Sequence, residues 1–329
     1  MVRSIFLICT LTATTMMLVG CQPPSETADG SSSDGDWTIA MIPKGETHIY
    51  WKSVHFGARQ AADELGVDLQ WKGPSKENDR DEQISVMQSF LNRQVDGICL
   101  CPLDADALVR PVAEAGRGKV PVVIFDSGLS DTSGTISYVA TDNFRGGQMA
   151  GDAMAKALGE KGNVVVMRYQ KGSESTHQRE EGFLEAIGKY PDMTVISSDQ
   201  YGGSTTEAAI DKSQQIFNKF GDEIDGIFAS CEPTAAGILQ TLRDRKSAGD
   251  VALVAFDSSE TLRKAMADGE VTAIVLQDPV RMGYLSIQTM VQHLRGEDVQ
   301  RRVDTGVFVA TPDNMDDEKI RSLLQPGQA

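Results

Sequence analysis

Two aspartates stand in matching words of the chain, Phe125-Asp126-Ser127 and Phe256-Asp257-Ser258. Each follows an apolar run and has a serine hydroxyl beside it. If these carboxyls face one another, two chemistries are open to them. One protonated and one ionised group would serve as the acid and base of a glycosidase. Two ionised groups would instead accept hydrogen bonds from adjacent hydroxyls of a sugar or polyol. Polar neighbours keep carboxyls ionised, which favours the acceptor reading. The signatures of other chemistries are missing: no Gly-x-Gly-x-x-Gly follows an apolar strand, and neither a Gly-x-Ser-x-Gly elbow nor a His-Glu-x-x-His helix occurs. His48, His55, His177 and His293 are scattered, and Cys99, Cys101 and Cys231 have neither disulfide nor metal-ligand spacing. The pattern points to a binder without metal or cofactor rather than an enzyme.

Such residues need strands that end where they stand. Apolar runs at Ile39–Ile42, Val67–Trp71, Gly97–Cys101 and Val120–Phe125 predict strands. The spacing of Val54, Ala58, Ala61, Ala62 and Leu65, and of Ile84, Met87 and Leu91, predicts helices between them, with a further helix over Ala105–Ala115. Strand–helix alternation with near-continuous apolar strands implies a parallel sheet covered on both faces. Cys99 and Cys101 then share one strand face as core thiols. The pattern repeats further on. Val95-Asp96-Gly97-Ile98 is echoed by Ile224-Asp225-Gly226-Ile227, and Asn163–Arg168 opens the second copy as Ile39–Ile42 opens the first. Asp96 to Asp126 spans 30 residues and Asp225 to Asp257 spans 32, so the spacing repeats with the letters. The expected fold is α/β, with two doubly wound parallel-sheet lobes. Ligands of such sheets gather beyond the carboxyl ends of the strands. That rule selects Lys44 to Trp51, Pro102 to Asp106 and Asp126-Ser127 in one lobe, and Tyr169 to Arg179, Cys231-Glu232 and Asp257-Ser258 in the other.

The first residues stand apart from this plan. Arg3 precedes an apolar run from Ile5 to Val19, short for a membrane span, and the run ends at Leu18-Val19-Gly20-Cys21. Leu-Val-Gly before Cys resembles the lipobox of bacterial lipoprotein signals, which implies cleavage after residue 20 and lipid on Cys21. Residues 22–36 are rich in Ser, Gly and Pro and hold nothing able to nucleate a core, so a disordered tether is expected there. The net charge is −16, one unit more negative once Arg3 leaves. An acidic surface of that size argues against nucleic acid and against docking on anionic lipid heads. A small-molecule partner remains compatible.

Seven segments carry a family likeness: IAMIPKGETHIYWKSVHFGARQAADELG, PVVIFDS, VATDNFRGGQMAGD, STHQREEGF, DGIFAS, VALVAFDSSE and VLQDPVRMG. In this order, over Trp37 to Val309, the chain resembles the periplasmic sugar-binding proteins of the ribose-binding type, relatives of the lactose-repressor ligand core. The resemblance implies the type I periplasmic binding protein fold. Its lobes would be 37–141 plus 278–304 and 142–277 plus 305–329. Three hinge crossings are expected near Thr141-Asp142, Gln277-Asp278 and Asp304–Val307, with the helix Arg281–Leu294 returning to the first lobe.

By position, the resemblance implies a ligand pocket of His48, Tyr50, Trp51, Asp126 and Ser127 from one lobe. The other lobe would give Arg179, Cys231, Asp257 and Gln277, with Glu232 beside the thiol and Lys44 and Glu46 near the site. Arg179, expected at a helix start, offers a fork of donors, and Tyr50 and Trp51 offer flat apolar faces for a sugar ring. Adjacent helical residues point about 100° apart, so at least one of that aromatic pair is expected to leave the core. Ribose binders carry Arg, Asn and Asn where this chain has Ser127, Cys231 and His48. The expected ligand is therefore another pentose, a hexose or a polyol rather than ribose. The implied protein is a monomeric extracytoplasmic lipoprotein that hands a carbohydrate to an ABC-type permease. A sensor module presenting ligand to a membrane receptor would use the same closed form. A repressor would need a basic helix-turn-helix where this chain has a signal and tether.

Overall fold

The structure, a computed structural model, describes residues 37–325; the expected signal peptide (1–20), Cys21, the tether to residue 36 and residues 326–329 lie outside the described residues. The first sheet grows from β1 (Thr38–Ile42), whose last four residues are fully buried, as a central strand covered on both faces requires. α1 (Ile49–Leu65) comes next, with His48 as its N-cap: ring Nδ1 accepts from Tyr50 N at 3.2 Å. Then come β2 (Asp68–Trp71), α2 (Arg80–Asn92), β3 (Gly97–Leu100), α3 (Val109–Arg117), β4 (Val122–Phe125) and β5 (Ser137–Ala140). The helix expected over Ala105–Ala115 begins only at Val109. Asp104 delays it, because its Oδ1 accepts from Asp106 N at 3.0 Å and Ala107 N at 2.9 Å and closes a turn there. Pro111 fits the first turn of α3, where no intrahelical N–H is required.

The second lobe repeats the plan. Its elements are α4 (Asn143–Leu158), β6 (Lys161–Arg168), α5 (Glu174–Ile187), β7 (Asp192–Tyr201), α6 (Thr206–Phe220), β8 (Gly226–Ala229), α7 (Glu232–Arg245), β9 (Ala252–Phe256), α8 (Glu260–Ala267) and β10 (Ala273–Leu276). α9 (Pro279–Leu294) returns to pack on β3 and β4, ahead of β11 (Arg302–Asp304), β12 (Phe308–Ala310) and α10 (Glu318–Leu324). The sheet orders are β11-β5-β4-β3-β1-β2 and β12-β10-β9-β8-β6-β7, the same winding twice. The chain passes between sheets after β5, after β10 and after β11. Each sheet carries a core layer on both faces: Cys99 and Cys101 pack with Ile39 and Met41, while Ile98 and Leu100 pack opposite with Ala40 and Ile42.

The all-parallel expectation holds in the first sheet and breaks at the edge of the second, where β12 runs antiparallel to β10. β11 points toward the hinge like its parallel neighbours. Residues 305–307, with Gly306 at φ 89°, lead straight into the other lobe, so the chain enters that lobe running away from the cleft. Three residues are too few for the chain to travel to the far end of the second sheet and enter it parallel to β10.

One helix crossing bears directly on the expected pocket. Where α4 meets α5, a Cβ on Gly147 would lie 2.0 Å from Arg179 O, and one on Gly182 would lie 2.1 Å from Phe144 O. The missing side chains let the two backbones touch, and this contact fixes the height of Arg179 above its sheet.

Candidate functional site

The loops at the carboxyl ends of both sheets meet around a cleft. From the first lobe it is lined by Lys44 and His48 of the β1–α1 loop, Tyr50 and Trp51 in the first turn of α1, Glu77 after β2, and Asp126 after β4. The second lobe contributes Tyr169 after β6, Ser175, Thr176 and Arg179 of α5, Cys231 and Glu232 at the start of α7, Asp257 after β9 and Gln277 after β10. Nine of the ten residues expected in a pocket thus line one space. Ser127 does not; it is fully buried at the cleft edge, where its Oγ accepts from Ser175 N at 3.2 Å. Glu46 also stays outside, accepting from Gly73 N at 2.8 Å.

Asp126 and Asp257 share an uncommon backbone, with φ of 60° and 68°. The left-handed region is costly for most residues, and Asp is among the few side chains that enter it with some ease. The same conformation recurs at the same strand end in both lobes. Asp126 Oδ1 accepts from Tyr50 OH at 2.6 Å, Cys101 Sγ lies 3.3 Å from its Oδ2, and Lys44 Nζ lies 4.0 Å away. Burial lifts the Cys101 thiol and the Tyr50 phenol well above their usual ranges, so both are neutral donors. Neither Tyr50 nor Trp51 leaves the core as expected: both rings pack into the first-lobe core and meet each other edge-on at 4.9 Å.

Arg179 sits in the second turn of α5 rather than at a helix start. Its Nε donates to Asn143 Oδ1 at 2.8 Å, and Nη1 donates to Ser230 O at 3.0 Å and Asp257 Oδ2 at 3.4 Å. The guanidinium lies 3.9 Å from the Phe256 ring centroid, a cation–π contact under the cleft floor. Gln277 Nε2 donates to Asp257 Oδ1 at 2.8 Å, while Gln277 Oε1 is buried with no partner in the protein. Burial raises the Asp257 carboxyl above its ordinary value, with Arg179 and Gln277 opposing that rise. The expectation that polar neighbours keep both carboxyls ionised therefore meets a counter-force at Asp257: desolvation in a closed cleft. Cys231, the α7 N-cap, has its thiol pushed up to about 12 by burial and lies 3.2 Å from Thr234 Oγ1. The raised value keeps the thiol protonated where it lines the cleft.

The lobes are joined directly across the cleft. Lys44 Nζ donates to Ser173 Oγ at 3.0 Å and Ser175 Oγ at 3.2 Å, and Ala105 N donates to Gly172 O at 2.9 Å. His48 Nε2 meets Glu232 Oε2 at 2.7 Å. Burial alone would lower the His48 pKa, but the hydrogen bond and charge of Glu232 reverse this and hold it above 6.5. Glu232 is held below the usual carboxylate range, because the His48 bond and charge outweigh burial, which would raise it. Glu77, Tyr169, Ser175, Thr176 and Pro233 also line the cleft although the pocket expected by position does not include them. Tyr169 lies inside a segment that the carboxyl-end rule had selected, and Glu77 lies after β2, where extending the same rule would have found it. Among the described residues no group of three or more metal-ligating side chains converges, and no helix is long and apolar enough to cross a membrane.

A family model described as a periplasmic binding protein domain matches residues 39–298. A ribose import binding protein of Haemophilus influenzae is 28% identical over 282 residues, covering 86% of this chain and 94% of that protein. A xylitol-binding protein of Mycolicibacterium smegmatis is 29% identical over 250 residues, 76% of this chain and 70% of that one. Among solved structures, a carbohydrate transporter solute binding protein from Agrobacterium radiobacter in complex with D-arabinose matches with a TM-score of 0.84 at 33% identity, covering 88% of this chain and 99% of that chain. Two like lobes, ligand-side loops from both, and a family match over most of the length lead to one statement: the chain belongs to the periplasmic binding protein family, in its ribose-binding type.

Proposed function

We propose that this protein captures a neutral pentose, hexose or polyol between its lobes and delivers it to an ABC-type sugar permease. The reading rests on one observation before others: Asp126 and Asp257, from opposite lobes, reach the cleft in the same left-handed conformation. Paired acceptors on two closing surfaces suit a ligand with hydroxyls on both sides. Gln277 Oε1, buried without a partner, adds an acceptor that a ligand hydroxyl would satisfy. Glu77, Asp126, Glu232 and Asp257 outnumber Lys44 and Arg179 along the lining, which disfavours sugar acids and sugar phosphates. The faces of Tyr50 and Trp51 suit the C–H side of a sugar ring. Ser127, Cys231 and His48 depart from the ribose pattern, and we take ribose itself to be a poor ligand. A mass spectrum of the small molecule released from natively purified protein tests the ligand class. A neutral polyhydroxylated molecule is expected; an amino acid or an anion would overturn the assignment.

We assign the lobes as 37–141 plus 278–304 and 142–277 plus 305–329, the division that sheet membership supports. The protein acts as a monomer, outside the cytoplasm, tethered by residues 22–36 to lipid on Cys21. Growth with radiolabelled palmitate should label the wild type and leave Cys21→Ser unlabelled; label on both would remove the anchor.

A further inference from the structure

We propose that Glu77 is the rim clamp of the cleft, setting how long a ligand stays and excluding ligands longer than one sugar ring; the ligand class rests on the proposed sugar-binding function. Glu77 is the only lining residue that the β2–α2 loop supplies. It is half-buried between exposed Lys76 and Asn78, so it stands where the pocket meets solvent. Each carboxylate oxygen takes one donor. Trp51 Nε1 donates to Oε1 at 2.7 Å from the same lobe, and Tyr169 OH donates to Oε2 at 2.8 Å from the other lobe. Its backbone oxygen also accepts from Gln170 Nε2 of that other lobe at 2.9 Å. The position is built rather than incidental: a Cβ on Gly45 would lie 2.6 Å from Glu77 Cγ, so the side chain passes over a residue that must stay small.

This chain of bonds has three consequences. Trp51 and Tyr169 spend their polar atoms on Glu77, so they present apolar surface to the ligand. Opening the cleft must break the charge-assisted Tyr169 bond, which slows release. A ligand extending past this wall would have to displace Glu77 and leave two buried donors unpaired, which costs more than the extension gains.

The test uses the whole protein, refolded to strip bound ligand, as wild type, Glu77→Ala, the near-isosteric Glu77→Gln and Tyr169→Phe, with thermal melting as the folding control. Stopped-flow release of whichever monosaccharide or polyol the wild type binds, from a panel including D-arabinose, D-fucose and xylitol, is expected to be about 10-fold faster in Glu77→Ala and Tyr169→Phe, the loss of one charge-assisted bond. Glu77→Ala is also expected to narrow the preference for monosaccharide over disaccharide, probed with lactose and maltose. Hydrogen exchange needs no ligand identity: amides of residues 169–172 should exchange faster in Glu77→Ala and Glu77→Gln than in the wild type. Unchanged exchange, or unchanged release and size preference in a protein that binds sugar, overturns the clamp. A wild type that binds no sugar overturns the proposed function instead, and the exchange measurement then decides the clamp alone.

Discussion

At the scale of single residues, the cleft is a set of donors and acceptors placed in advance on both faces. Asp126 and Asp257 are legible in the sequence because they recur in matching words at matching spacing. Tyr169 is legible only as part of a selected loop, and Glu77 lies in a loop not selected at all, because nothing in a loop's composition tells which side chain will reach across to the other lobe. His48 carries the clearest titration. Across the cleft it faces Glu232 at 2.7 Å, and Glu77 and Asp257 add their charges. Protonation gives up the 3.2 Å cap bond from Tyr50 N to Nδ1, a weak bond set against three carboxylates. Opening the cleft returns His48 to about 6.5. The closed form thus holds the proton more tightly than the open form. The resulting stabilisation of closure is complete below pH 6.5 and is lost as pH rises through the raised closed-form value. Ligand affinity, measured by calorimetry from about pH 6 to about pH 9, should fall with rising pH in the wild type and stay level in His48→Gln. A level profile in the wild type would deny His48 its cross-lobe role.

At the scale of elements, apolar runs and helical spacing place β1 to β4, β6 and the helices α1 to α3, since buried parallel strands leave a strong trace in composition. Elements such as β5, β7, α4 and α6 are not read from it. Two further features escape that trace. The start of α3 is set by the Asp104 side chain closing a turn, a local bond that periodicity does not see. The direction of β12 is set by where the chain crosses the hinge, a matter of topology rather than of residue type. The α4–α5 crossing links element to site, because the backbone of Arg179 rests on Gly147. A methyl group there has no room. Gly147→Ala should lower the unfolding free energy by about 1–3 kcal/mol, as overpacking does, and weaken ligand binding together with it. Urea denaturation and calorimetry on the same sample check both; a variant as stable as the wild type would show that the helices can part without cost.

At the scale of the whole molecule, two copies of one α/β plan face each other through three crossings, and the cleft exists only because both are present. The duplication is readable in the chain as repeated words, whereas the closed arrangement is not, since it depends on bonds such as Lys44 to Ser173 that join residues far apart in sequence. Small-angle scattering should therefore show a larger radius of gyration for stripped protein than for protein saturated with its sugar; equal radii would mean that ligand does not govern closure. The central claim is that a sugar or polyol is held between Asp126 and Asp257. Titration calorimetry of stripped wild type and of the Asp126→Ala/Asp257→Ala double variant, against a panel of pentoses, hexoses and polyols, tests it most directly. Heat of binding for at least one member in the wild type and none in a folded double variant is the expected result; silence across the whole panel in the wild type, or binding that survives in the double variant, would contradict it.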